Sequence, residues 1–312
     1  MKLRGRVWKL RTSLHYSRTG SVKKECAVDS LLTFAMLPIF FTIPKFLGIG
    51  PIPIHSYGVM LILGFLAGMY VVRMRAQKYG FLPDKVIDMG FWALVGGVLG
   101  ARLGFILQEL PYFLSHPKEL FSPQFSGLTS FGGEIVAVVG IIIWARRNKY
   151  SIIGILDLAA PGYLLGYAIG RVGCFLNGCC YGGVCSPNLP WATTFHDAKG
   201  LHHPAQIYDA LMNLVGLGIL LYIERRKLVP GRIAALMLIL HGTSRFIYEF
   251  WRAGTEDEVR QGLASSTYWG NLPITQAHAM ALGLIVIGLI WYFIANKKPV
   301  TTTQDTPEMK AA

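Results

Sequence analysis

Long apolar runs separated by short polar loops make up most of the chain between residues 57 and 295. Several of these runs approach the roughly 20 residues that an α-helix needs to cross a bilayer, and the strict polar–apolar alternation of a membrane β-barrel is absent from the sequence. The pattern therefore predicts an all-α integral membrane protein, a polytopic bundle of about seven transmembrane helices. The predicted spans are residues 57–72, 86–108, 130–145, 152–176, 205–223, 233–251 and 274–295, of which the third is short and contains Glu134.

No linker divides the apolar part, so residues 36–296 are predicted to form one transmembrane domain. It is flanked by a basic N-terminal extension over residues 1–35 and by a polar, disordered tail over residues 297–312. Two loops rich in proline, serine and aromatic residues, 110–129 and 182–203, predict a small extracytoplasmic cap. Glycines recur at the spacing that lets membrane helices pack closely. They are Gly96, Gly97, Gly100 and Gly104 in the second span and Gly162, Gly166 and Gly170 in the fourth.

The net charge of +13 is distributed as membrane topology requires, not as a nucleic-acid surface. Only 15% of the residues are charged, against about a quarter in soluble domains. One set of loops, with the tail, holds most of the cations: Arg73, Arg75, Lys78, Lys85, Arg146, Arg147, Lys149, Arg225, Arg226, Lys227, Arg232, Lys297 and Lys298. The opposite loops hold Lys118, Lys199, Arg252 and Arg260. By the positive-inside rule, this predicts an inner-membrane protein with a cytoplasmic C-terminus and with the residues before Tyr57 outside.

The N-terminus conflicts with that topology, because residues 1–30 carry eight cations that would have to be translocated. Two interpretations resolve the conflict. Residues 31–41 form a short extra apolar anchor, or translation begins at Met36. The second is favoured. A signal peptide fits less well, since no small-residue cleavage site is clear.

Ionisable and polar residues inside apolar helices are costly and usually functional. In or beside the predicted spans they are Tyr57, Arg102, Glu134, Asp157, Arg171, Gln206, Tyr208, His241, Arg245, Glu249 and Gln276. The alternative is ion pairing that holds the helices together. It is strongest for Asp157, which could cap a helix or pair with a loop cation. For Arg102, a structural role and a functional role are equally compatible with its position.

Arg171 opens the most informative segment, the run from Gly170 to Gly182, where a glycine-rich turn follows a long apolar helix. His241, Arg245 and Glu249 recur every four residues and share one helix face, so Arg245 and Glu249 are expected to pair. Both arginines are predicted near the outer headgroup level. Two planar cations at that depth can hold a phosphodiester by bidentate hydrogen bonds.

The chain has five cysteines, of which Cys26 is taken as incidental. Cys174, Cys179, Cys180 and Cys185 fall near the outer face. They are interpreted as small apolar packing residues, with a Cys180–Cys185 or Cys179–Cys185 disulfide as the alternative. No metal site is predicted, because CxxC pairs with regularly spaced histidines are absent.

Several motifs together make the chain resemble the prolipoprotein diacylglyceryl transferase family over roughly residues 37–296. They are His55-Ser56-Tyr57-Gly58, Gly100-Ala101-Arg102-Leu103-Gly104, residues 127–133, residues 170–182, residues 203–208, residues 245–249 and Gln276. One tetrapeptide would be weak evidence, but the order and spacing of all of them is specific.

The resemblance implies transfer of the diacylglyceryl group of phosphatidylglycerol onto the lipobox cysteine thiol of a preprolipoprotein, with release of glycerol 1-phosphate and with no metal or organic cofactor. It also implies residue roles. Arg171 and Arg245 would bind the phosphate, Tyr57 would line the site and Glu249 would orient Arg245. The remaining substrate-binding candidates are Arg102, Asn177, Gly182, His203, Gln206 and Gln276.

This sequence departs from the family pattern at Phe131, where a histidine is usual, at Cys174 and Cys179, and at His241, where a tyrosine is usual. His241 is therefore interpreted as a catalytic residue that takes over the base or hydrogen-bonding role, with Glu134 as a second candidate. The loss of a histidine at Phe131 also supports a different class of function, a non-catalytic relative that binds anionic lipid or lipoprotein precursor. A transporter would be expected to show inverted internal repeats, and none is visible.

Overall fold

The computed structural model describes residues 36–44, 51–117, 130–196, 198, 200–226, 229–253 and 274–295. Two strands form an antiparallel hairpin, β1 (Ile39–Ile43) and β2 (Ile52–His55). The helices are α1 (Ser56–Arg75), α2 (Pro83–Gln108), α3 (Leu110–Ser115), α4 (Ser130–Arg147), α5 (Ile152–Leu176), α6 (Ala205–Ile223), α7 (Arg232–Ala253) and α8 (Gln276–Ile294), and a 3₁₀ turn, Ala76–Tyr79, follows α1. The predicted N-terminal extension, Cys26 and the tail lie outside the described residues.

Six of the helices are long and apolar enough to cross a membrane: α1, extended by its 3₁₀ turn, and α2, α5, α6, α7 and α8. The seventh long helix, α4, is 18 residues long and carries three charged residues, Glu134, Arg146 and Arg147. The prediction of an all-α polytopic membrane protein is confirmed, and α4 is the span that composition supports least. Cations in the last turns of α1 and α4, such as Arg73 and Arg146, mark one end of the bundle, here called the basic end. The end where α5 runs into residues 177–182 is called the signature end.

Glycines bring the helices together in antiparallel pairs. A Cβ at Gly64 of α1 would lie 2.7 Å from the carbonyl oxygen of Gly166 in α5, and one at Gly68 would lie 2.8 Å from that of Gly162. Gly100 of α2 meets the backbone of Gly132 in α4 just as closely. The predicted close packing is therefore confirmed for these glycines. Gly97 and Gly170 differ, because a Cβ at either position would meet nothing within 4 Å.

Helix α5 is the centre of the bundle, since it packs against α1, α6 and α7, while α7 also pairs with α8. Pro161 interrupts the α5 backbone ladder at mid-helix. A proline has no N–H, so the carbonyl four residues earlier loses its helical partner. That carbonyl belongs to Asp157, and it accepts a hydrogen bond from Arg75 Nη2 of α1 at 3.2 Å; the neighbouring carbonyl of Leu158 accepts another from Arg75.

A buried ion-pair network closes the basic end. Arg75 donates from Nη2 to Glu224 Oε1 at 2.7 Å and from Nε to Oε2 at 3.0 Å, and the Tyr79 hydroxyl donates to the same carboxylate at 2.9 Å. The side chain of Arg75 is 10% exposed and that of Glu224 is 7% exposed. The network ties the end of α1 to the end of α6 and to the Asp157 carbonyl that Pro161 leaves without a helical partner.

Asp157 caps a helix, but not its own. Its Oδ1 accepts from the backbone N–H of Ala234 at 2.8 Å, and its Oδ2 accepts from that of Gly231. These groups belong to the start of α7, where a carboxylate also complements the helix dipole. The structural interpretation of Asp157 therefore fits the structure, with α7 as the capped helix.

The signature end carries the hairpin and the described part of the cap. Strand β1 exposes large apolar side chains, including Phe40 and Phe41. Of the segment 31–41, the alternative apolar anchor, the structure describes residues 36–41, and residues 39–41 belong to strand β1. In the cap, residues 184 and 193 each form an isolated bridge with His202.

Candidate active site

Two arginines from different helices meet one buried carboxylate at the signature end. Arg171 Nε of α5 lies 2.7 Å from Asp209 Oδ2 of α6, and Arg245 Nη1 of α7 lies 3.5 Å from the same oxygen. The Asp209 side chain is fully buried, whereas those of Arg171 and Arg245 are 14% and 21% exposed. One negative charge therefore faces two positive charges, and both guanidinium groups keep an accessible edge.

Tyr167, one helical turn before Arg171, completes the first layer of this cluster. Its hydroxyl donates to Asp209 Oδ2 at 2.8 Å and accepts from Arg171 Nε at 2.9 Å and from Arg245 Nη1 at 3.4 Å. A single hydroxyl thus contacts all three charged groups. Because three helices supply these groups, the packing of α5, α6 and α7 fixes the separation of the arginines.

A second layer of polar residues orients Asp209 from the opposite side. Ser244 Oγ donates to Asp209 Oδ1 at 2.8 Å, and Asn213 Nδ2 donates to the same oxygen at 2.9 Å. The amide oxygen of Asn213 lies 2.8 Å from Nδ1 of His241. Since that oxygen can only accept, the proton of His241 is assigned to Nδ1. Nε2 then keeps its lone pair and is free to act as an acceptor or a base.

The ring of Tyr248 joins the arginines to the signature turn. Its centroid lies 5.1 Å from Cζ of Arg171 and 4.9 Å from Cζ of Arg245, within the range of a cation–π interaction. Its hydroxyl donates to the carbonyl of Cys180 at 3.3 Å. Gln206, fully buried on α6, donates from Nε2 to the carbonyl of Cys179 at 2.7 Å. The turn is therefore held by two helices that also build the arginine cluster.

Gly182 has a steric reason to be glycine. Its N–H donates to the carbonyl of His203 at 2.9 Å, and its carbonyl faces Nδ1 of His202 at 2.8 Å. A Cβ at this position would lie 2.7 Å from the carbonyl oxygen of Trp251 and 2.9 Å from the Cβ of His203. Gly182 thus lets the signature turn dock against the end of α7 and against the segment that leads into α6.

The other predicted residues are spread around this cluster. Tyr57 packs against Gly173, two residues after Arg171 on α5. Asn177 is the C-cap residue of α5, with its N–H bonded to the carbonyl of Gly173. His203 Nδ1 lies 3.3 Å from the hydroxyl of Tyr208. The guanidinium of Arg102 lies near the rings of Phe105 and Phe113, with Cζ 5.9 Å and 5.6 Å from their centroids.

The predicted Arg245–Glu249 pair is wrong. Arg245 pairs with Asp209, and Glu249 pairs with Arg252 at 3.5 Å and accepts from Thr275 Oγ1 at 3.2 Å. Thr275 is the N-cap of α8. Glu249 therefore ties the end of α7 to the start of α8, because its side chain points toward α8 and not along its own helix. Gln276 is exposed on the first turn of α8.

The alternative of a disulfide at Cys185 does not fit the structure, because the four described cysteines are free. The thiols of Cys174, Cys179 and Cys180 lie within 4.8 Å of one another, and Cys185 is not part of this group. Hydrogen bonds from Cys174 and Cys179 hold the pKa of the Cys180 thiol below its usual range. Burial raises the pKa of Cys185.

Comparison with known proteins identifies the family of the chain. Residues 44–294 match the family described as prolipoprotein diacylglyceryl transferase. The chain belongs to the prolipoprotein diacylglyceryl transferase family.

Two relatives named phosphatidylglycerol–prolipoprotein diacylglyceryl transferase illustrate the degree of similarity. The one from Paracidovorax citrulli (strain AAC00-1) is 33% identical over 270 residues, covering 82% of this chain and 96% of the relative. The one from Janthinobacterium sp. (strain Marseille) is 30% identical over 263 residues, with the same coverage of both chains. The match therefore extends over the whole helical bundle, not a single motif.

In this member of the family, sequence reasoning missed Asp209, Tyr167, Asn213 and Ser244. A signal was present on α6, where Gln206, Asp209 and Asn213 recur at i, i+3 and i+7, the spacing of one helix face. Tyr167 likewise precedes Arg171 by four residues. These spacings were visible in the sequence, but the contact between α5 and α6 that gives them meaning was not.

Proposed function

We propose that the chain transfers the diacylglyceryl group of phosphatidylglycerol to the lipobox cysteine thiol of a preprolipoprotein and releases glycerol 1-phosphate. The observation that carries this proposal is the charge balance of the candidate active site. Asp209 offsets one of the two guanidinium charges of Arg171 and Arg245. One positive charge remains, and a phosphodiester carries one negative charge to match it.

The two arginines would act on the leaving group. As the carbon–oxygen bond breaks, its electron pair passes to the departing phosphate, which gains charge. Guanidinium donors fixed in place before the reaction stabilise such charge without reorganising. They accelerate the step to the extent that they hold the phosphate more tightly in the transition state than in the bound lipid.

His241 would accept the proton of the acceptor thiol. Its Nδ1 is oriented by Asn213, which leaves Nε2 as the basic atom. His241 is packed edge-on against the rings of Tyr163 and Tyr167, at centroid distances of 5.4 Å and 4.6 Å, so the imidazole is held beside the arginine cluster. Glu134 is the second candidate, because it is exposed and lies within electrostatic range of both arginines.

The remaining residues would act around this centre. Tyr57 and His203 would line the approach to the arginines, and Arg102 would contact lipid or peptide nearer the end of α2. Asn177, Gly182 and Gln206 would position the signature turn. Glu249 and Gln276 would act through the junction of α7 and α8, so we assign Glu249 a positioning role in place of direct contact with the reacting atoms.

The substrates also fit the proposed membrane placement. A diacyl lipid reaches a bundle of apolar helices from the bilayer, and the positive-inside distribution supports a signature end on the outer side of the inner membrane. The C-terminus would then be cytoplasmic. A prolipoprotein that has crossed the membrane presents its cysteine at that outer surface.

Purified chain in phosphatidylglycerol vesicles with a lipobox peptide tests the proposal. We expect a thioether adduct whose mass equals peptide plus diacylglyceryl, together with one equivalent of glycerol 1-phosphate. Phosphatidylethanolamine vesicles are the matched control and should give neither product.

The non-catalytic alternative rests on Phe131, which stands where the family usually has a histidine. Binding of peptide and phosphatidylglycerol without adduct or glycerol 1-phosphate would establish that alternative and contradict the transferase.

A further inference from the structure

We propose that Cys174, Cys179 and Cys180 form a binding site for a Zn²⁺ ion. Their three sulfur atoms lie within 4.8 Å of one another, and all three residues are half-buried. Tetrahedral zinc with Zn–S bonds of about 2.3 Å holds its sulfurs about 3.8 Å apart. The thiols therefore need only a small contraction to bind the ion.

The backbone is already shaped to bring these thiols together. Cys174 lies in the last turn of α5, and the N–H of Cys179 donates to its carbonyl at 3.1 Å. Cys180 has φ of +63°, a left-handed conformation that is uncommon for a residue with a side chain. Such strain persists where the surrounding structure holds it and is concentrated at functional sites. Here Tyr248 and Gln206 stabilise the conformation by donating hydrogen bonds to the carbonyls of Cys180 and Cys179, respectively.

Gln206 provides a second, independent observation. The side chain is fully buried, and Nε2 is fixed by the carbonyl of Cys179. Its Oε1 accepts no hydrogen bond from the described residues, which is costly for a buried acceptor. Three thiolates leave one position of tetrahedral zinc for a fourth ligand. A water molecule there would donate to Gln206 Oε1 and satisfy it.

The charge of the surroundings suits a thiolate site. Three thiolates and one Zn²⁺ carry a net charge of −1, and the guanidinium of Arg171 acts electrostatically on the thiols of Cys174 and Cys180. Arg171 and Cys174 are three residues apart on α5 and share a face. The spacing of these cysteines, i, i+5 and i+6, is not that of a zinc finger, which explains why the sequence did not predict the site.

The test is metal content and thiol protection in the full-length chain, purified in detergent with added Zn²⁺ and dialysed without chelator. We expect about one zinc per chain by mass spectrometry. In the Co²⁺-loaded protein we expect a sulfur-to-cobalt charge-transfer band. The three cluster thiols should resist alkylation until a chelator removes the metal.

The variants Cys179→Ser and Cys180→Ser should each lose the ion and the band. Cys185→Ser is the matched control, because Cys185 lies near the turn but outside the cluster, and it should retain both. Zinc content that is the same in the cluster variants as in the original chain would overturn the proposal. A disulfide between any two of Cys174, Cys179 and Cys180 in freshly purified protein would overturn it as well. Neither result bears on the transferase proposal, which needs no metal.

Discussion

Asp209 determines the charge of the candidate active site at the scale of single residues. Without it, Arg171 and Arg245 would face each other as unscreened cations in a largely buried setting. With it, they are drawn together and still leave one positive charge for a phosphodiester. The sequence indicated that the arginines need negative charge nearby. Asp209 supplies part of that negative charge from the protein itself.

Replacing Asp209 by Asn should therefore be severe. Removing one partner of a buried ion pair costs about 3–5 kcal/mol, because the remaining charge is left uncompensated. We expect Asp209→Asn to lower the free energy of unfolding by that order and to abolish transfer. Ser244→Ala, which removes a single neutral hydrogen bond to the same carboxylate, should cost only about 1 kcal/mol. Thermal unfolding in detergent compares the two, and equal stability of both variants would contradict the stabilising role of the Asp209 ion pairs.

His241 is the residue on which the proton transfer is assigned. His241→Ala should lose about 100-fold or more in transfer rate, since a positioned base contributes roughly that factor, while phosphatidylglycerol binding stays unchanged. The measurement is the single-turnover rate of thioether formation beside a lipid-binding assay. Full activity of the variant would sink the assignment and leave Glu134 as the candidate.

The element scale explains how helices deliver these side chains. Pro161 interrupts the hydrogen-bond ladder of α5, and the freed carbonyl of Asp157 accepts from Arg75, which also binds Glu224. Asp157 caps α7 from the same level of the bundle. The basic end thus fixes α1, α5, α6 and α7 against one another, and three of these four helices supply the arginine cluster.

The buried ion-pair network of Arg75 and Glu224 at the basic end predicts a dependence of stability on pH. Burial alone would raise the pKa of Glu224, but hydrogen bonds from Arg75 and Tyr79 hold it below its ordinary value. A carboxylate whose pKa is lower in the folded state stabilises the fold above its unfolded pKa, and this contribution is lost as the pH falls through the folded value. We therefore expect stability to decline below about pH 4.3.

Glu224→Gln should remove that decline and lower stability at neutral pH by about 3–5 kcal/mol. Asp84→Asn is the control, because Asp84 is 92% exposed and its ion pair with Arg73 spans 3.9 Å. Such pairs contribute less than about 1 kcal/mol. Unfolding curves at pH 3 to 7 distinguish the two variants. An unchanged pH profile of stability in Glu224→Gln would contradict the stabilising role of the Arg75–Glu224 ion pair.

At the signature end, the close packing around Gly182 leads to a prediction about substitution of this glycine. Gly182→Ala should disrupt the docking of the turn and reduce transfer, because its Cβ would overlap the carbonyl of Trp251 and the side chain of His203. Gly170→Ala, in the same signature run, should be tolerated, since a Cβ there meets nothing within 4 Å. Transfer rates and expression levels of the two variants provide the comparison. Similar behaviour of both would mean that the steric argument is wrong.

At the scale of the whole molecule, the sequence predicted those features that depend on residue patterns within a single helix. Apolar length identified the helices, and the glycine spacing identified close helix contacts. Arg171 and Arg245 stood out because cations in apolar helices are costly. Asp209 was missed because its position within a helix does not indicate which neighbouring helix its side chain faces. The pairing of Glu249 was wrong for the same reason, since spacing along one helix was preferred over a contact with α8.

The central claim is that Arg171 and Arg245 together hold the phosphate of the lipid during transfer. The most direct measurement is the rate of thioether formation on a lipobox peptide in phosphatidylglycerol vesicles, for the original chain, Arg171→Ala, Arg245→Ala and the surface control Arg73→Ala. The account predicts a loss of at least about 100-fold in each of the two cluster variants and an unchanged rate in the control. A rate close to that of the original chain in either cluster variant, with the protein folded, would contradict it.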